Sequence, residues 1–228
     1  MEPEIKIIAH IYTDFNEKFG IPRQSGLVSE AVGKIVFEPE YRNPDALKGI
    51  EEFSHLWLIW QFSENILENW QATVRPPRLG GKKTVGVFAT RSPMRPNPIG
   101  LSSVKLEKVE KTKNDGDILV VCGADLMNGT PIYDIKPYLP YTDSHPDAKN
   151  GFAEVALKHK LYVHDTENCL EQVNEEKRSV IAAILEQDPR PAYKNDPEKV
   201  YGMSFGGYNI RFNVDGDQLY IIEIKNDV

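Results

Sequence analysis

The sequence predicts a mainly β protein: an antiparallel β-barrel domain over residues 1–144, followed by a small α+β domain over residues 145–228. Two observations support the barrel. Seven short runs rich in Ile, Val, Leu, Tyr and Phe occupy residues 5–12, 33–37, 56–62, 85–90, 101–109, 118–122 and 131–135, with turn residues between them. No long amphipathic helix separates these runs, which favours antiparallel pairing over a helix-covered parallel sheet. A third observation supports the division. The polar, turn-rich segment Tyr141-Thr142-Asp143-Ser144-His145-Pro146-Asp147 ends the β-rich part, and a helical pattern follows it.

Taken in order, the elements have local causes. The segment Pro44-Asp45-Ala46-Leu47-Lys48-Gly49 reads as one short helix, with Asn43 as cap and Pro44 at its first position. The run at 55–62 is almost continuously apolar, as a strand buried on both faces would be. Asn114-Asp115-Gly116-Asp117 marks a hairpin between two strands. Beyond residue 145, Leu170, Val173, Val180, Ile181, Ile184 and Leu185 recur at helical spacing. Asp165 or Thr166 is the expected cap of that helix, and Pro189 its end. Residues 208–214 and 218–225 flank Asp215-Gly216 as a closing hairpin.

Charge is unevenly distributed. Residues 69–106 contain no Asp or Glu but hold Arg75, Arg78, Lys82, Lys83, Arg91, Arg95 and Lys105. The chain carries −7 and this stretch +7, so the remainder carries −14. A concentrated basic segment on an acidic chain is a patch for an anion. Within it, Arg91-Ser92-Pro93-Met94-Arg95-Pro96-Asn97-Pro98-Ile99-Gly100 contains three prolines, so it is neither an interior helix nor a central strand. Its plain alternative is a structural turn whose arginines pair with carboxylates. Ile21-Pro22-Arg23-Gln24-Ser25-Gly26 is a loop carrying a cation and an amide, or simply a solvated turn. The stretch from Asp125 to Tyr138 holds the turn signal Asn128-Gly129, with Asp134 and Lys136 on one strand face; a plain hairpin would look the same.

Other chemistries lack their motifs. The five histidines show no metal-type spacing, and there is no CxxC pair or nucleophile elbow. Gly80-Gly81-Lys82-Lys83-Thr84 is only a fragment of a phosphate loop. A hydrolase using Asp125 and Asp134 would lack a nucleophile or metal. Cys122 and Cys169 are the only cysteines, with Cys122 expected as a buried, inert thiol. No apolar run reaches the length of a membrane span, and Met1-Glu2-Pro3-Glu4 does not start a secretion signal. A cytoplasmic, metal-free protein is expected.

In this order, the segments resemble a known family. They are Pro22-Arg23-Gln24, Phe53-Ser54-His55-Leu56-Trp57, Val74-Arg75-Pro76-Pro77-Arg78-Leu79-Gly80-Gly81, the run from Gly86 through Arg91-Ser92-Pro93-Met94-Arg95-Pro96-Asn97-Pro98 to Gly100, Gly129-Thr130-Pro131, and Asp134-Ile135-Lys136-Pro137-Tyr138-Leu139-Pro140-Tyr141. Together they resemble the TrmO-type, or TsaA-like, methyltransferases. Asp188-Pro189-Arg190-Pro191-Ala192-Tyr193 is similar to members with an extra C-terminal domain. The resemblance implies a homodimeric β-barrel enzyme that uses S-adenosylmethionine to methylate N6 of threonylcarbamoyladenosine at tRNA position 37. It implies cofactor contacts from Pro22, Arg23, Gln24, Ser63, Glu64, Arg91, Leu101, Met127, Asn128, Gly129 and Thr130. Asn128 stands where relatives often have Asp, and near Ser63 they often have His or another polar residue.

Arg75, Arg78, Lys82, Lys83 and Arg95 suit anticodon-loop phosphates. Asp134 is the candidate base. Arg190, Tyr193 and Lys194 would either help hold tRNA or belong to a domain that only buttresses the barrel. The alternative function is a non-catalytic module binding S-adenosylmethionine or RNA.

Overall fold

The computed structural model describes residues 4–65, 69–76, 83–158, 160–190 and 196–227. Strand β1 spans Ala9–Thr13, β2 Val32–Phe37 and β3 His55–Gln61. Thr73–Val74 (β4) and Val85–Gly86 (β5) pair as a small separate ribbon. Then come β6 (Ile99–Thr112), β7 (Gly116–Cys122) and β8 (Thr130–Pro137). Six of these strands close a barrel in the order β1-β2-β7-β6-β3-β8, with every pairing antiparallel.

Successive side chains on a strand face opposite ways, so every second residue enters the barrel. Ile11, Ile35, Leu56, Leu58, Leu119 and Ile132 are among those fully buried there. The expectation that β3 is buried on both faces does not hold. Leu56, Leu58 and Trp60 face inward, whereas Trp57 and Ile59 are half-buried. A closed barrel has one interior, and the segment just after β8 gives the outer face only partial cover. Tyr138 lies 5.4 Å from Trp57, ring to ring, and the Trp57 indole N–H donates to Asp143 Oδ2 at 2.8 Å. Asp143 closes the short helix α1 (Pro140–Asp143).

Two N-terminal expectations change in detail. Residues 85–90 form a strand only at β5, because Val87–Ala89 is a 3₁₀ turn. Thr90 closes that turn, its N–H and hydroxyl both donating to the Val87 carbonyl at 3.0 and 2.8 Å. The short helix Pro44–Leu47 is 3₁₀, capped by Asn43 Oδ1, which accepts from the Asp45 N–H at 3.0 Å.

The C-terminal unit contains β9 (Tyr162–His164), α2 (Glu175–Glu186), β10 (Tyr201–Phe205), β11 (Tyr208–Asp215) and β12 (Gln218–Asn226). Its sheet runs β10-β11-β12-β9, with β9 parallel to β12. The Asp215-Gly216 turn joins β11 to β12 as expected, with Gly216 at φ +60°. The helix begins later than expected. Asp165 does act as a cap, its oxygens accepting from the Cys169 and Leu170 N–H groups at 2.7 and 2.9 Å. It caps the single 3₁₀ turn Cys169–Gln172, however. Val173 is then extended and buried, and α2 restarts from Asn174, whose side chain accepts from the Glu176 N–H.

One hydrophobic cluster crosses the expected division at 144/145. Phe15, Val28 and Ala31, all in the β1–β2 connection, are buried in the core of the C-terminal unit. Phe15 meets Phe205 at 5.1 Å between ring centroids. The Lys177 ammonium pairs with Asp14 at 3.0 Å, and the Ser204 N–H donates to Glu17 at 2.7 Å. Among the described residues, no helix is long and apolar enough to cross a membrane, and no cluster of three His, Cys, Asp or Glu side chains is placed to hold a metal. Cys169 is buried, Cys122 is half-buried rather than enclosed, and both thiols are free.

Candidate functional site

A cleft of about 480 Å³ opens where β3 leaves the barrel and β6 enters it. Four separated parts of the chain build its wall: the β1–β2 connection, the turn after β3, the proline-rich loop with the start of β6, and the β7–β8 connection. The insertion of Phe15 and Val28 into the C-terminal unit holds the first of these in place. The barrel pins its far end. The Gly26 N–H donates to the Gly123 carbonyl at 2.8 Å, and Ser25 Oγ accepts from the Ser103 N–H at 3.1 Å.

Trp60 and Gly100 are register partners on β3 and β6. A Cβ on Gly100 would overlap the indole ring, so glycine is the residue that lets this tryptophan lie flat against β6. The indole N–H donates to Ser102 Oγ at 3.0 Å, and the Ser102 hydroxyl donates to Asp125 Oδ1 at 2.6 Å. Trp60 and Asp125 both line the cleft. Burial pushes the Asp125 carboxyl above its ordinary value of 3.8. The Ser102 hydrogen bond and the positive charge of Arg91 oppose that shift without cancelling it.

Pro22, Arg23, Gln24, Ser63, Glu64, Arg91, Leu101, Met127 and Thr130 all line this cleft, although they span more than a hundred positions of sequence. Arg91 reaches across it to donate to Gln24 Oε1, and Gln24 in turn donates to the Arg23 carbonyl. Asn128 and Gly129 do not line it. Asn128 accepts from the Thr13 N–H and donates to Asn16, each at 3.2 Å, latching the β7–β8 turn to the end of β1. Gly129 takes φ +79°, which glycine adopts without strain, and its N–H donates to Ile11 at 2.8 Å.

Besides Gly129, four expected residues stand differently from their assigned roles. Asp134 is not in the cleft wall. A bulge between β3 and β8 reverses the facing after Ile132, so Ile135 packs toward the barrel core and Asp134 turns out to pair with Lys136 at 2.8 Å. Arg95 lines the cleft but braces its own loop, donating to the carbonyls of Ser92 at 3.0 Å, Thr90 at 2.5 Å and Val87 at 3.3 Å. Those contacts take up the fork that a phosphate would need. Arg190 is only 6% exposed and bonded to Asp188, so its side chain is not presented to tRNA. The fourth is Asn128, described above as a latch.

Arg75 and Lys83 are exposed beside the β4–β5 ribbon. Arg78, Lys82, Tyr193 and Lys194 lie outside the described residues. Trp60 and Asp125 were readable as residues but not as cleft-lining ones, because their neighbours there come from distant strands. Trp70 and Phe88 were also overlooked. They stack at 6.2 Å on the surface, and their signal was two aromatics inside the acid-free stretch.

With this geometry in view, comparison with known proteins identifies relatives across the chain. The tRNA-methyltransferase O N-terminal domain model matches residues 10–144, and the TrmO C-terminal domain model matches residues 158–227. The chain belongs to the TrmO family. It is 42% identical over 226 residues to a tRNA (adenine(37)-N6)-methyltransferase of Escherichia coli (strain K12), covering 95% of this chain and 96% of that protein. It is 39% identical over 221 residues to a putative S-adenosylmethionine-dependent methyltransferase, RcsF, of Pseudomonas aeruginosa, covering 93% of each. The crystal structure of TrmO from Pseudomonas aeruginosa matches with a TM-score of 0.79 at 33% identity, covering 99% of this chain and 100% of that one. Family membership and the closed barrel agree with the architecture read from the sequence.

The shift at Asp125 has a consequence for stability. The unfolded carboxyl titrates near its ordinary value and the folded one above it, so the folded state holds more protons between the two. Stability therefore falls as pH rises through that window. Asp125→Asn removes the titration. Its stability relative to the parent should increase from about pH 4 upward and level off above the folded value, as read by urea denaturation of both proteins between about pH 4 and about 7. A difference that stays flat across this range would show that Asp125 ionises in the folded protein as it does in water.

Proposed function

We propose that this chain methylates N6 of threonylcarbamoyladenosine at tRNA position 37, next to the anticodon, using S-adenosylmethionine. The observation that carries the proposal is the convergence of residues 22–24, 63–64, 91, 101, 127 and 130 on one cleft. The relative from Escherichia coli is named for methylation at adenine 37 of tRNA, which supports the substrate. A tRNA substrate fits the cytoplasmic location expected from the sequence.

The cleft suits the cofactor. Its volume of about 480 Å³ falls in the range of small-molecule sites, and apolar Trp60, Phe62, Leu101 and Met127 alternate with polar groups. Arg91 is half of a forked partner for the cofactor carboxylate, with Gln24 setting its angle. Ser63, Glu64 and the 22–24 loop supply the remaining polar contacts. When bound there, the cofactor supplies an electrophilic methyl group whose leaving group is a neutral thioether. No acid is needed for departure.

What the chain contributes is alignment, with reacting atoms held at ~3–3.5 Å. Trp60, locked by Gly100 and Ser102, makes a rigid floor for that purpose. The N6 proton must also leave. The threonylcarbamoyl group withdraws electrons from N6, which lowers the demand for a strong base. Asp134, paired with Lys136 and outside the cleft wall, is assigned no part in this step.

A two-fold dimer belongs to the same proposal, on narrower grounds than open strand edges. Barrel closure removes those edges. What remains is exposed apolar surface near the cleft: Leu101 is 50% exposed and Phe88 75%. A second copy covering this face would bring the loop at 91–100 close to the interface.

Three measurements test these claims. Methyl label from S-adenosylmethionine, with chelator-treated protein, should pass to tRNA that carries the threonylcarbamoyl mark and not to tRNA lacking it. Equal transfer to both would remove the modified nucleotide as the substrate, and cofactor binding without transfer would leave a binding module. Lys83→Glu should lower the salt slope of tRNA binding by roughly one unit while cofactor affinity stays unchanged. The reverse pattern would move Lys83 from the RNA face to the cleft. Light scattering at tens of micromolar should give twice the chain mass; a strict monomer with full transfer activity would rule out a shared site.

A further inference from the structure

Asp188 and Arg190 form a buried ion pair just beyond α2 that takes no part in the proposed chemistry. Asp188 sits in left-handed backbone at φ +51°. Its carboxylate receives both arms of one guanidinium, Arg190 Nε to Oδ1 at 2.8 Å and Nη2 to Oδ2 at 3.0 Å. The Arg190 backbone N–H also donates to Oδ1, at 3.2 Å. Both side chains are 7% exposed. Burying two charges gains little stability over apolar packing, so such a pair is better evidence for a fixed geometry than for a strong fold.

The geometry it fixes is a turn whose carbonyls meet Arg23. Arg23 Nη2 donates to the Arg190 carbonyl at 2.7 Å and lies 3.5 Å from that of Asp188. Arg23 itself lines the cleft, in the loop that carries Pro22 and Gln24. Gln24 then donates to the Arg23 carbonyl and accepts from Arg91. A continuous set of hydrogen bonds thus runs from the C-terminal unit, through the 22–24 loop, to the proline-rich loop. These contacts span 165 and 167 positions of sequence, so no local preference produces them.

We infer that the Asp188–Arg190 turn is a positioning device for the cleft: it sets Arg23 and, through Gln24, Arg91. The inference rests on the cleft being the S-adenosylmethionine site. It assigns the C-terminal unit an indirect part in cofactor binding, exerted through Arg23. The pair's burial opposes a phosphate-gripping role for the same motif.

The test uses the full chain, with Asp188→Asn, Arg23→Ala and the double variant. Calorimetry reads S-adenosylmethionine affinity, filter binding reads tRNA affinity, and thermal melting checks folding. Each single variant should weaken the cofactor on the order of tenfold, as loss of a hydrogen bond to a charged group does. Asp188→Asn should add no more than about twofold in the Arg23→Ala background, because contacts that act through one another are not additive. tRNA affinity should stay within about twofold of the parent.

Unchanged cofactor affinity in Asp188→Asn overturns the inference, and so do losses that multiply in the double variant. Weakened tRNA binding with intact cofactor binding also overturns it, and would make the motif an RNA contact. If Asp188→Asn fails to fold, Arg190→Lys, which keeps the charge but loses the fork, carries the same expectations. A parent chain that binds no S-adenosylmethionine would overturn the cleft assignment itself, whereas normal parent binding with an unaffected variant overturns the positioning role alone.

Discussion

Phe15, Val28 and Ala31 leave the first connection of the barrel and bury themselves in the core of the C-terminal unit. Each large apolar side chain placed this way contributes roughly 1.5–3 kcal/mol relative to exposure. The insertion ties the two units together through packing rather than through a linker. It also holds the intervening turns of residues 19–26 in place, where Pro22, Arg23 and Gln24 become cleft wall. A free loop of that length would lose entropy on binding a ligand. Here much of that loss has already occurred on folding.

Polar groups at the rim are distributed by the same constraint. A loop with three prolines has carbonyls that no strand neighbour satisfies. Arg95 donates to that of Ser92 and, back across the preceding turn, to those of Thr90 and Val87, with Ser92 and Thr90 adding side-chain bonds to nearby N–H groups. This self-bracing keeps the loop in shape without a second strand. It also separates two arginines that look equivalent in sequence: Arg95 holds the loop, and Arg91 projects across the cleft to Gln24. The exposed cations of the acid-free stretch, Arg75 and Lys83, remain on the outer side.

Beneath the rim, the floor depends on a tryptophan lying against a glycine. Trp60 occupies the space that any side chain at Gly100 would need, and its N–H starts the bond sequence to Ser102 and Asp125. Asp125 is thereby a carboxylate enclosed by the barrel end, opposed by Arg91 and held by neighbours from β6 and the first connection. Its raised pKa follows from its removal from water.

Local chemistry in the sequence determined much of the architecture. Alternating apolar residues and turn formers define the barrel strands. Asn43 caps its turn, Asp215-Gly216 makes its hairpin, and the arginine-proline motif marks a stiff loop. The short strands β9 and β10 escaped notice because three to five residues beside irregular segments carry little periodic signal. Other features were decided only by tertiary structure. One bulge reverses the facing of Asp134 relative to Ile132, and a single residue of slip is enough to do so. Arg190 is basic in sequence but buried in space, because its partner Asp188 sits two residues away in a turn closed by Arg23 from the opposite end of the chain. Facing and burial depend on register and on distant contacts, and these come into existence only when the barrel closes and the first connection enters the C-terminal core.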